Sequence, residues 1–195
     1  EKQNYKNNYE VPSQDYVINE FSARIQQFDL PMSPMKEGKY FVYKNTQTDN
    51  NLNKNEYIAI GPGLPIEING KINPDIKKIL EDNNYSEKDL RNIITGEMGI
   101  DRDTYEQLGV YKYKTATAAY EEIYDEVLLS PRHRNVLIDI IASVGVDLVG
   151  PNSNIYKYIH AGNMNLVYNE LINLKEFYNN KKRHTAHLSN WGFGG

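Results

Sequence analysis

The chain has 195 residues, of which 39% are hydrophobic and 25% are charged, proportions that are ordinary for a folded globular protein. Its formal net charge of −4 disfavours nucleic-acid binding, because contact with a phosphate backbone requires a basic face. No apolar run approaches the roughly 20 residues that insert across a bilayer, and the absence of cysteine excludes disulfides and thiolate metal sites. The length suits one domain, or one domain with two lobes.

Residues 1–34 are predicted to form a linker and a helix that precede the main domain, residues 35–195. The segment 1–14 is polar and rich in Asn, Gln and Tyr, which favours an extended linker. Apolar side chains then recur at steps of three and four residues, which predicts an amphipathic helix from Asp15. These are Val17, Ile18, Phe21, Ile25 and Phe28. Two prolines in residues 29–35 end that helix.

Residues 35–72 are predicted to form a small antiparallel β lobe. Residues 39–46 alternate in part and are typical of a strand, and the polar stretch 46–55 predicts a long turn. Further strands are predicted at EYIAIG, residues 56–61, and at IEING, residues 66–70. Such a lobe is too small to fold alone and needs support from the rest of the chain.

From residue 73 onward the pattern is helical, and polar caps mark where helices begin and end. Asn73 and Ser130 each precede a proline, which is typical of an N-cap. Ser86, with Asp89 three residues later, predicts a capping box. Gly162 is the predicted C-cap of the helix in NIYKYIHAG.

The helix after Ser130 is predicted to be the central buried helix, ending at Gly145. Its second half is apolar on nearly all sides. The predicted core comprises Val136, Leu137, Ile140, Ile141, Val144, Leu171 and Leu174. The fold class is therefore α+β, with a β lobe at 35–72, a helical lobe at 73–195 and a cleft between them suited to an extended ligand.

A short basic run, KKRHTAH, occupies residues 181–187. His184 and His187 are three residues apart and can share a helix face, but no acidic metal ligand lies beside them in the sequence. We therefore predict a solvated helix end, and neither a metal nor a cofactor. Contact with a ligand is the less common role of such a run.

Glu37 stands before the first predicted strand, followed by Gly38. Inverting glycosidases use one carboxylic acid to protonate the leaving oxygen, and a second carboxylate to activate water. A single glutamate is weak evidence for this chemistry. Its position between a helix and a strand lobe makes it the candidate general acid.

Four segments in order resemble the lysozyme family of T-even phages, which includes the lysozyme domain built into their tail spikes. They are EGKYFVYKNT, EYIAIGPGL, SPRHRNVLIDIIASVG and IYKYIHAGNMNLVYNELINLKEFYNNKKR. The resemblance covers residues 35–190, weakly over 71–114 and best over 130–183. It implies a lysozyme-like fold, with a small antiparallel β lobe and a larger helical lobe.

The resemblance assigns Glu37 to the position of the family's general acid. Asn45 falls where the family has the aspartate that positions or activates water, and an amide cannot serve as a base. Ala59, or Ile58 in another register, falls where a threonine helps to hold that water. Leu64 or Gly63 replaces a histidine. The implied active site is degenerate.

Other carboxylates can be considered for the missing role. Asp49 and Glu56 lie in or beside the predicted long turn, although a flexible insert holds catalytic geometry poorly. Glu20 and Asp29 reproduce the family's spacing, but they lack the glycine and lie in the predicted amphipathic helix. We interpret that pair as structural.

Two functions follow from the resemblance. The first is a lysozyme-like module of a phage tail or baseplate hub, with a structural or cell-wall-binding role, located in the virion. Its partners would be other tail proteins, and it would be a homotrimer in a hub. The second is an active muramidase that cleaves the peptidoglycan glycan strand with Glu37, acting from the tail or in the host periplasm and cell wall. An unrelated helical architecture is the third hypothesis.

Overall fold

The computed structural model describes residues 24–30 and 33–192. The predicted linker and the start of the predicted N-terminal helix lie outside the described residues, whereas Ile25–Asp29 form a short π-helix. Within the described residues, all seven strands lie between Met35 and Ile72, and all seven α-helices lie from Pro74 onward. The predicted α+β class is confirmed.

Seven short strands form three separate antiparallel sheets instead of one. They are β1 (Met35–Lys36), β2 (Lys39–Tyr40), β3 (Tyr43–Thr48), β4 (Lys54–Ile60), β5 (Leu64–Pro65), β6 (Glu67–Ile68) and β7 (Lys71–Ile72). The sheets are β1–β2, β3–β4–β5 and β6–β7.

Two of the predicted strands differ from the observed ones, one because of a long-range pairing and the other because of a local turn. The strand predicted at 39–46 is interrupted, because Tyr40 exchanges two backbone hydrogen bonds of 2.8 Å with Ile100. The strand predicted at 66–70 is a hairpin, because Asn69 and Gly70 both adopt positive φ, 53° and 75°. An Asn-Gly pair in that conformation forms a two-residue turn between antiparallel strands.

The helical part follows the predicted order. The helices are α1 (Pro74–Asp82), α2 (Glu87–Ile94), α3 (Arg102–Ile123), α4 (Pro131–Val144), α5 (Asn154–His160), α6 (Met164–Asn173) and α7 (Lys181–Gly192), with a 3-10 turn at Leu174–Phe177. Helix α3 runs without a break over 22 residues, from Arg102 to Ile123.

The three predicted N-caps are confirmed. The Asn73 side chain accepts a hydrogen bond from the backbone N–H of Asp75, and Ser86 and Asp89 form a reciprocal capping box. Ser130 accepts from the N–H of His133. The predicted C-cap is one residue too late: Ala161 caps α5, and Gly162 follows it with a φ of +73°. Each cap satisfies backbone groups that the helix itself leaves without partners.

The predicted core is also confirmed, with one exception. Val136, Leu137, Ile140, Ile141, Leu171 and Leu174 are all buried. Val144 is only half-buried, because it is the last residue of α4 and Gly145 follows it directly.

The chain divides into two compact units. Among the described residues, the β-containing unit comprises 24–30, 33–46 and Asn55–Lys112, and the helical unit comprises Gln47–Lys54 and 113–192. Fully buried side chains in the β-containing unit include Ile60, Ile66, Ile76, Leu80, Tyr105 and Leu108. Those in the helical unit include Tyr113, Val136, Leu137, Ile138, Ile140, Val149, Val167 and Leu171.

Candidate functional site

Glu37 lies at the tip of the β1–β2 hairpin. Lys36 pairs with Lys39, so Glu37 and Gly38 form a two-residue loop, with φ of +52° and +73°. Glu37 is exposed, and no described residue forms a hydrogen bond or ion pair with it. A carboxylate there lacks the buried surroundings in which glycosidases hold a general acid.

Asn45 lies on β3 and uses its amide to bridge two parts of the β-containing unit. Its Nδ2 donates to the hydroxyl of Tyr57 over 2.9 Å, and its Oδ1 accepts from the N–H of Thr46 over 3.0 Å. The hydroxyl of Tyr57 in turn donates to the carbonyl of Gly63 over 2.8 Å. The amide thus joins β3 to the turn that follows β4.

That turn, Gly61–Gly63, is held by three side chains on three consecutive carbonyls. Tyr43 donates to the Gly61 carbonyl over 2.8 Å, the Lys112 ammonium donates to the Pro62 carbonyl, and Tyr57 donates to the Gly63 carbonyl. Burial raises the pKa of both the Tyr43 and the Tyr57 hydroxyl, with the Asp29 carboxylate adding to the effect on Tyr43. The tyrosines therefore remain neutral donors at physiological pH.

Gly63 is tightly enclosed within this network. It has a φ of +77°, and a Cβ atom on it would lie 3.3 Å from Asn45 Nδ2 and 3.4 Å from Lys112 Nζ. The left-handed backbone conformation disfavours any side chain there. The hydrogen bonds around Asn45 therefore have a structural role, which is to hold the turn at Gly63.

The remaining residues implied by the resemblance lie as follows. Ala59, on β4 opposite Pro65, is completely buried, so its methyl group has no access to a bound water. Ile58, the alternative in the other register, is 39% exposed. Leu64 is part of the buried core.

The other candidate carboxylates are held in different surroundings. Asp49 accepts hydrogen bonds from the backbone N–H groups of Asn51 and Asn53, both over 2.9 Å, and from the Asn53 side chain. Glu56 is exposed on β4. Asp29 is buried at the end of the π-helix, and Glu20 lies outside the described residues.

A second polar cluster, in the helical unit, was not predicted. Asp139 on α4 is 1% exposed, and its Oδ2 lies 3.1 Å from the Nε of Arg183 and accepts a hydrogen bond from His187 Nε2. Because a carboxylate only accepts, Nε2 carries the hydrogen, and the other ring nitrogen, Nδ1, lies 2.8 Å from the hydroxyl oxygen of Tyr178. Burial and the Asp139 charge raise the pKa of Tyr178.

The prediction of a solvated helix end at residues 181–187 is wrong for three residues of that segment. Arg183, His184 and His187 are 4%, 9% and 3% exposed, because they share the inner face of α7 with Trp191. The Arg183 guanidinium also donates to the hydroxyl of Tyr113 over 3.0 Å. A buried cation needs a buried anion, which Asp139 supplies.

The signal for this cluster was present in the sequence. Asp139 is the single charge within the apolar run of α4, residues 136–141. A charge on a helix predicted to be buried requires an ionic or hydrogen-bonded partner. The basic run at 181–187 contains cationic side chains that could be this partner.

The comparisons add no relative. No protein-family model, curated protein or solved structure matches the chain. In the part of the chain that the structure describes, no three side chains of His, Asp or Glu are grouped as a metal site. No helix of residues 24–30 and 33–192 combines the length and hydrophobicity of a membrane span.

Proposed function

We propose that this chain is a non-catalytic structural module of lysozyme-like architecture, carried in a phage tail or baseplate hub. The observation that supports this proposal best is the role of Asn45. The resemblance puts a catalytic aspartate at this position, whereas the amide present here cannot take a proton from water. Its Nδ2 is instead hydrogen-bonded to Tyr57.

The surroundings of the other implied residues support the same proposal. Glu37 is exposed in a turn, and Ala59 is buried and has no hydroxyl to hold a water molecule. Packing and catalysis rest on different residues, so a fold can persist after its chemistry is lost.

The alternative is an active muramidase with Glu37 as its general acid. An inverting mechanism then needs a second carboxylate at about 6.5–9.5 Å to activate water. Asp49 already holds its own turn through three hydrogen bonds. This alternative would therefore require Glu56 as its second carboxylate. Glu56→Gln is the variant that tests this requirement.

The experiment is a reducing-end assay on purified peptidoglycan, with an active muramidase as the positive control. We expect no release by the wild-type chain above the level of Glu37→Gln. Release that is lost in Glu37→Gln would establish the enzyme and overturn the proposal.

A gain-of-function variant tests the lysozyme-like part of the proposal separately. Asn45→Asp restores the carboxylate at the implied position, and we expect it to release reducing ends slowly where the wild type does not. No release by Asn45→Asp, in a protein that still folds, would count against a lysozyme-like arrangement of Glu37 and Asn45. Co-sedimentation with peptidoglycan distinguishes a structural role, for which we expect no binding, from a wall-binding role.

A further inference from the structure

A pocket of about 480 Å³ opens in the helical unit beside the start of α7. It is lined by Lys54, Lys175, Glu176, Tyr178, Lys181, His184 and Thr185. This volume lies within the range of about 300–1,000 Å³ that is typical of small-molecule sites. None of these residues belongs to the network around Asn45.

The charge of the pocket favours an anion. Its lining carries three lysine ammonium groups against one carboxylate, Glu176. Among the described residues, Lys54, Lys175 and Lys181 form no ion pair that would neutralise them. Lys181 begins α7, a helix of 12 residues, and the N-terminal end of a helix adds partial positive charge. The chain as a whole is acidic, so this cationic site is a local feature.

His184 adds an acceptor to this cationic lining. It is 9% exposed, and its Nε2 lies 2.7 Å from the carbonyl oxygen of Leu171. A carbonyl only accepts, so Nε2 carries the hydrogen, and Nδ1 is the ring nitrogen that can accept a hydrogen bond when a single nitrogen is protonated. No described residue donates to Nδ1. The ring of Tyr178 packs against the imidazole, with the two ring centroids 4.6 Å apart.

We propose that this pocket binds a small oxyanion that also carries a hydroxyl group, of which hydrogenphosphate is the simplest. The lysines balance its charge, and His184 accepts a hydrogen bond from its O–H. A fully deprotonated oxyanion such as sulfate satisfies the lysines but offers nothing to Nδ1. A sugar phosphate or a hydroxylated carboxylate meets both requirements.

The test is calorimetric titration of the full chain with inorganic phosphate and, separately, with sulfate, at low ionic strength and about pH 8, where an ordinary histidine is neutral. We expect saturable 1:1 binding of phosphate, about tenfold tighter than sulfate. Equal binding of the two anions, or no saturable binding of phosphate, would overturn the proposal.

Matched variants separate the pocket from general surface charge. Lys181→Gln removes a lining ammonium, and we expect it to weaken phosphate binding about tenfold, as the loss of one charge-assisted hydrogen bond does. Lys182→Gln makes the same charge change on the next, exposed residue outside the lining, and we expect an affinity within about twofold of wild type. Equal weakening in both variants would mean diffuse attraction and refute the site.

A third variant tests the acceptor. His184→Gln is expected to abolish the preference for phosphate over sulfate, and far-ultraviolet circular dichroism reports whether it folds. If it does not fold, the anion comparison in the wild type and the lysine pair still decide the question. The outcome is independent of the reducing-end assay, since no glycan is involved.

Discussion

Replacing Asp139 with asparagine is expected to destabilise the helical unit severely. The carboxylate and the Arg183 guanidinium are 1% and 5% exposed and lie 3.1 Å apart, and His187 donates to the same oxygen. The substitution keeps the shape of the side chain but removes the carboxylate charge that faces the buried guanidinium. Removing one partner of a buried pair costs about 3–5 kcal/mol.

The expected loss converts to a large thermal shift. In a chain of this size each kcal/mol lowers the melting temperature by roughly 2–4 °C, so Asp139→Asn should melt roughly 6–20 °C below wild type. Urea denaturation followed by tryptophan fluorescence measures the loss of unfolding free energy directly. Trp191 is the single tryptophan of the chain, and it is 3% exposed on the same helix as Arg183.

An exposed pair provides the matched control. Lys78 and Asp82 lie 3.0 Å apart, with side chains 75% and 63% exposed, so Asp82→Asn should change stability by less than about 1 kcal/mol. Removing both buried charges, in Asp139→Asn/Arg183→Met, should recover part of the loss. A loss for Asp139→Asn as small as that for Asp82→Asn would refute the reasoning.

Three further predictions concern packing and pH. Ile140→Ala, at a completely buried position of α4, should lower the free energy of unfolding by roughly 2–5 kcal/mol in chemical denaturation. Gly99→Ala should cost roughly 1–3 kcal/mol, measured in the same way, because its Cβ would lie 2.8 Å from the Cβ of Lys39. Burial of the imidazole lowers the pKa of His133, and its hydrogen bond with the Trp191 carbonyl offsets this only in part. The folded state therefore binds fewer protons than the unfolded state, and stability should fall as the pH drops below the unfolded value of about 6.5, as denaturation at several pH values will show.

Controls for these three predictions are available in the chain. Ile172→Ala, at a position 43% exposed, should be far milder than Ile140→Ala, and a similar loss would contradict the central-helix assignment. Gly192→Ala meets the Tyr168 ring at an ordinary 3.5 Å and should be tolerated, unlike the change at Gly99. His133→Gln should flatten the acid slope, and a slope unchanged from wild type would assign the effect to another group.

The helix boundaries could be predicted because their causes are local. A cap such as Ser86 acts on N–H groups within three residues of itself, so the chain order alone contains the signal. The apolar run of α4 likewise identified the central helix without knowledge of its neighbours. The interruption of the strand at Tyr40 could not be predicted in this way, because its partner Ile100 lies 60 residues away.

The polar cluster of the helical unit was missed for the same physical reason. Asp139 and His187 are 48 residues apart, and a basic run looks solvated until the carboxylate that faces it is known. The resemblance showed that Asn45 has an amide at a position where the lysozyme family has a carboxylate. Its bonding to Tyr57 depends on strand pairing that the sequence pattern did not specify.

The central proposal, a lysozyme-like module without catalysis, is tested most directly by the release of reducing ends from peptidoglycan. The proposal predicts that the wild-type chain and Glu37→Gln both remain at background while the control muramidase is active. Release by the wild type that disappears in Glu37→Gln would contradict it and make Glu37 the general acid of a working enzyme.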